Sequence, residues 1–156
     1  MELDELERRM RPGGWFTRPL LTSSESLSER LQEDAQRLQR LGTTASALGE
    51  RLGALLAGAS GTDWFDGLRL GDFDVELHRR RGFITCPWAP DEFQKCLVGK
   101  GGRATANEFV VRQRVSGRLL NGFEISAHLL RDHGFCGGVG TAFRLEPDEV
   151  AALLAP

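Results

Sequence analysis

The hydrophobic period of this chain changes once, and that change limits its fold more than any other feature. Leu27, Leu31, Ala35 and Leu38 recur at steps of four, four and three, and Ala45, Leu48, Leu52 and Leu55 repeat the rhythm. Such stripes put every member on one face of a helix. From Asp72 the period drops to two: Phe73, Val75 and Leu77 alternate with Asp74, Glu76 and His78, which is the signature of a half-buried strand. A chain of 156 residues, 40% hydrophobic and 27% charged, holds one domain or one domain with a helical attachment. The expected architecture is therefore α+β: an N-terminal helical hairpin over 1–58, then an α+β domain over 72–156 with a mostly antiparallel sheet and helices on one face.

Local signals divide the chain further. Leu3–Met10 reads as a short helix, stopped by Arg11-Pro12-Gly13-Gly14. Two capping-box spacings, Thr22 with Glu25 and Ser26 with Glu29, leave the start of the second helix open. Gly42 supplies its stop, and Thr43 or Thr44 the next cap. The two helices are expected to pack as an antiparallel pair, with self-association through their leucine stripes as the functional alternative. The passage Gly58–Gly71 is the only internal boundary; it carries Trp64 and Phe65 between Asp63 and Asp66, read as a loop anchor. Beyond it, Gly82–Cys86 reads as the returning strand of a hairpin begun at Phe73, ended by Pro87 and Pro90. Asn107–Val115 and Arg118–Asn121 form a second hairpin, Glu124–His133 a helix closed by Gly134, Thr141–Leu145 a short strand and Pro147–Leu154 a last helix.

Charge falls in three blocks: −5 over 1–77, +6 over 78–118 and −3 over 119–156. The basic middle includes Arg79, Arg80, Arg81, Arg103, Arg112 and Arg114. Two readings stand beside each other: a surface for nucleic acid or another polyanion, or a basic segment that pairs internally with the acidic ends. The pI of 5.9 favours the second, since nucleic-acid binders usually lie above about 9.

The block His128-Leu129-Leu130-Arg131-Asp132-His133-Gly134-Phe135, followed by Phe143-Arg144-Leu145-Glu146-Pro147, resembles a pattern in small uncharacterised prokaryotic proteins. Those carry a C-P-[FW] element upstream, to which Gly82–Trp88 is similar; Cys136 departs from the pattern, which has phenylalanine there. The resemblance covers about the last half of the chain and implies no activity. It implies only that Cys86, His128 and His133 are placed for a purpose.

Four side chains make the strongest candidate site: Cys86, Cys96, His133 and Cys136, thiols and an imidazole of the kind that zinc prefers. His133 and Cys136 form a compact clip, but Cys86 and Cys96 stand ten apart, outside the usual knuckle spacing. Buried thiols without a metal, or a reversible Cys86–Cys96 disulfide, are the alternatives. His128 and His133 are not expected to share a ligand: five residues turn a helix by about 500°, leaving them about 140° out of line. One is expected to face the sheet and the other to sit charged at the helix C-terminus. Nucleophilic catalysis would need Cys86 or Cys136 beside His133, oriented by Asp132 or Asn107. The glycine runs Val98–Arg103 and Gly137–Gly140 lack the spacing of phosphate loops and read as connections.

No apolar run approaches the roughly 20 residues that span a bilayer. The opening residues read acidic then basic without an apolar stretch, which argues against an export signal and for the cytoplasm. The leading expectation is a non-enzymatic protein acting by contact with a protein partner or a second copy, its Cys and His groups serving the fold. Polyanion binding and a Cys/His- or metal-dependent enzyme are the alternatives.

Overall fold

The computed structural model describes residues 2–59, 68–89 and 103–155. In chain order its elements are α1 (Leu3–Met10), α2 (Leu27–Arg40), α3 (Ala45–Ala59), β1 (Leu68–Leu70), β2 (Phe73–His78), β3 (Phe83–Thr85), β4 (Arg103–Thr105), β5 (Glu108–Gln113), β6 (Leu119–Phe123), α4 (Ile125–His133) and α5 (Pro147–Leu154). The fold is α+β. Its main sheet is antiparallel throughout, in the order β1-β2-β5-β6, with Val75 opposite Val111 and Val111 opposite Leu120. The period-two pattern decides which face is covered: Phe73, Val75, Leu77, Phe109, Val111 and Leu120 are buried. Gly122 lies opposite Phe109, and a Cβ there would come within 3.2 Å of that ring, so glycine leaves the space the phenylalanine fills.

Helices α3, α4 and α5 close the first core over this face through Leu48, Leu52, Leu56, Leu130, Val150 and Leu153. A second core gathers Leu6, Met10, Leu20, Leu21 and Leu27 around Cys86, Trp88, Ile125, Leu129 and Phe135. Helix α4 separates the two, giving Ala127 and Leu130 to one and Ile125 and Leu129 to the other. The α2–α3 pair finds its main partners outside itself, with α3 against α4 and α2 against α5. At the α3–α4 crossing Gly49 brings the backbones together: a Cβ there would fall against the backbone nitrogen of Arg131 and lie 2.8 Å from Ala127 O.

The caps resolve what the sequence left open. Ser26 is the N-cap of α2, accepting from Glu29 N, while Glu25 turns back to accept from Thr22 N. Thr44 caps α3 by accepting from Ala47 N. Gly134 ends α4 in the left-handed conformation, φ 64°, which costs glycine little.

Four expectations are corrected. Ala35 is exposed and Asp34 is buried in its place, because Arg144 reaches across to bind the carboxylate at 2.6 and 3.0 Å. β3 does not return along β2: both flanks of β2 are taken by β1 and β5, and β3 pairs with β4 in a separate two-stranded sheet. Leu68–Leu70, within the passage read as loop, is the edge strand β1. Thr141–Leu145 is not a strand; Arg144 N bonds back to Thr141 O, and the Arg144 guanidinium holds Gly137 O as well as Asp34. Trp64, Phe65 and Val98–Gly102 lie outside the described residues. Among the described residues, no helix is long and apolar enough to cross a membrane.

Candidate metal centre

Three side chains from two parts of the chain meet where the second core touches α4. Cys86 follows β3 at the start of a turn that Pro87 favours and that Ala89 N closes by bonding to Cys86 O at 3.0 Å. His128 sits in the middle of α4 and His133 at its end. Cys86 Sγ lies 3.4 Å from His128 Nε2 and 3.4 Å from His133 Nε2. The three potential ligand atoms all fall within 4.8 Å of one another. Cys86 is fully buried, His128 almost so, and His133 half-buried.

Each imidazole is held from behind. His128 Nδ1 is 2.7 Å from Asp132 Oδ2, one helical turn on, and Arg131 grips the same carboxylate through two bonds of 3.0 Å. Nδ1 faces the carboxylate, and Nε2 is the nitrogen turned to the sulfur. His133 stacks on Trp88, with ring centroids 4.1 Å apart and planes 5° from parallel, and Trp88 packs its edge on Phe135 at 6.0 Å. The two imidazoles meet edge to face at 5.0 Å.

Burial pulls the pKa of both histidines down. For His128 desolvation outweighs the upward pull of Asp132. For His133 desolvation, reinforced by the neighbouring His128, lowers the pKa from 6.5 to about 4. The neutral imidazole is therefore the resting form at neutral pH, and it is the form that binds metals. The expectation of a charged histidine at the end of α4 is thus corrected: desolvation outweighs the helix dipole.

Cys86 and His133 of the sequence-level set come together, and His128 joins them although its spacing argued against it. The convergence occurs at Nε2, the far tip of each ring, and Cys86 enters from another element, so the two Cβ atoms need not share a helix face. Cys136 belongs to the first core instead. Desolvation, with Asp34 nearby, pushes its thiol up to about 12, so it stays protonated. Cys96 lies outside the described residues. Of the two orienting groups considered, Asp132 serves His128, while Asn107 accepts from Arg80 N and donates to Glu124.

The candidate basic residues fall on several elements, and some are engaged by acidic side chains. Arg114 is tied to Asp74 Oδ1 at 3.1 Å and to the carbonyls of Phe73 and Gly71. Arg80 binds Glu108 at 2.8 Å. Arg79 and Arg81 are exposed, and Arg103 opens β4. Arg112, also exposed, stands opposite Asp74 and lines an open hollow of about 410 Å³ together with Arg69, Asp74 and Glu76, a wall of both signs.

Comparison with known proteins finds no matching family model, no matching curated protein and no matching solved structure.

Proposed function

We propose that this chain is a metal-stabilised interaction protein in which Cys86, His128 and His133 bind a zinc-class ion. One observation carries the reading: two imidazole nitrogens and one thiol sulfur from separate elements point at a common centre. With zinc–sulfur near 2.3 Å and zinc–nitrogen near 2.0–2.1 Å, a tetrahedral site spaces sulfur and nitrogen by about 3.6 Å. The 3.4 Å separations found here need only a small adjustment to reach that. The carboxylate behind His128 is the usual outer partner of a metal-bound histidine. Three protein ligands leave a fourth position, for which Cys96 is the sequence-level candidate.

Such a site ties the turn after β3 to both halves of α4, and the metal acts as a staple for the second core. The protein then works by contact with a protein partner or a second copy, in a reducing compartment such as the cytoplasm where thiol ligands persist. Polyanion binding is the weaker alternative, because Arg80 and Arg114 are engaged by acidic side chains.

A second reading has its own support: Cys86, His128 and Asp132 also line up as thiol, imidazole and carboxylate, the order of a nucleophile, its base and an orienting group. Full burial of Cys86 and the presence of a second imidazole on the same sulfur favour the metal.

Elemental analysis of protein purified without added metal separates the two. The metal reading expects about one equivalent of zinc, lost in Cys86→Ser and in His133→Ala. A zinc-free protein whose Cys86 is alkylated rapidly at neutral pH, and which takes up no Co(II), would instead favour the nucleophile.

A further inference from the structure

The turn that presents Cys86 is held from the N-terminal helix. Arg9, the penultimate residue of α1, keeps only 8% of its side chain exposed. Its Nη1 donates to Pro87 O at 2.7 Å and to Ala89 O at 3.3 Å. Its Nε donates to Glu5 Oε1 at 3.3 Å, and the guanidinium lies 4.3 Å from the centre of the Trp15 ring. A cation is costly to bury unless its donors are used. Here Nη1 is spent on the two carbonyls that flank Trp88, the residue whose ring fixes His133.

We propose that Arg9 is a positioning residue for the metal centre, coupling occupancy of the site to the docking of α1. The inference rests on the metal reading above. Arg9 acts through the backbone carbonyls of the turn. It fixes the Cys86–Ala89 turn, and through it both the sulfur and the aromatic wall behind His133. Because α1 contributes Leu6 and Met10 to the same core as Cys86 and Trp88, the linkage runs both ways: α1 docking tightens the site, and a bound metal tightens α1.

Co(II) titration of the full chain tests this, using the thiolate-to-cobalt charge-transfer band as readout. The wild type is expected to show the band. Arg9→Ala is expected to bind about 10-fold more weakly, the lower end of what removing a direct partner of a ligand costs, with a shifted band. Arg9→Lys, which keeps the cation but not the forked donors, falls between and serves if the alanine variant fails to fold. Leu38→Ala, buried in the first core, controls for general destabilisation and is expected to bind as the wild type does. Amide exchange in α1 slows when Co(II) is added. Wild-type affinity in both Arg9 variants, an equal loss in Leu38→Ala, or α1 exchange indifferent to metal overturns the role of Arg9 while leaving the metal reading intact. A wild type without the band overturns both.

Discussion

At the scale of single residues, burial decides more than charge. Asp34 and Arg144 show how: both are almost withdrawn from water, yet each satisfies the other through two bonds. The histidines are the opposite case, one buried and one half-buried, both as neutral rings. His133 has a pKa near 4 when folded against 6.5 ordinarily, and His128 shifts in the same direction. Between these values the unfolded chain binds more protons than the folded one, so stability rises with pH. In metal-free protein the contribution is complete above about 6.5 and is lost as pH falls towards about 4. Urea midpoints measured across this window should fall on acidification, and His133→Gln should flatten the slope. A midpoint independent of pH in the wild type would contradict the burial of the ring. The sequence marked Cys86 and His133 as ligands by chemical type, but it placed Cys136 with them, because residue spacing says nothing about which core a side chain enters.

At the scale of elements, α4 is the member on which the site depends. It carries both histidines, and its position is set by α3 through the close contact at Gly49. Helix propensity alone favours Gly49→Ala by about 1 kcal/mol. The added Cβ would meet backbone atoms of α4, however, and backbone cannot move aside as a flexible side chain does. Overpacking of this kind costs about 1–3 kcal/mol, so the variant should be less stable in thermal unfolding and should bind metal more weakly as α4 is displaced. A stabilised variant would show that the crossing is looser than the structure has it. The element boundaries were largely legible in advance, since Ser26, Thr44, Gly134 and Pro147 are local signals acting within a turn of their own helix. Strand pairing was not. The proximity of β3 to β2 in sequence suggested a hairpin, whereas the flanks of β2 were already occupied.

On the scale of the whole molecule, two cores share one helix, and a metal held by Cys86, His128 and His133 would tie the smaller core to that helix. A ligand that binds only the folded state stabilises it by about 2.7 kcal/mol at a hundredfold excess over Kd. For a domain of this size each kcal/mol moves Tm by about 2–4 °C, so chelation should lower Tm by about 5–10 °C, and added zinc should restore it. A Tm unmoved by chelator in protein shown to contain zinc would mean that the ion does not staple the fold. What the sequence determined by itself is the helices and the buried face of β2, because period, caps and turn residues act over a few positions; it did not give β1 or the burial of Asp34. Only the tertiary structure decided which buried faces meet. Cys86 and His128 stand 42 residues apart, and no periodicity links them. Their meeting depends on α4 lying between two cores and on the turn after β3 being held in place, which are consequences of long-range packing.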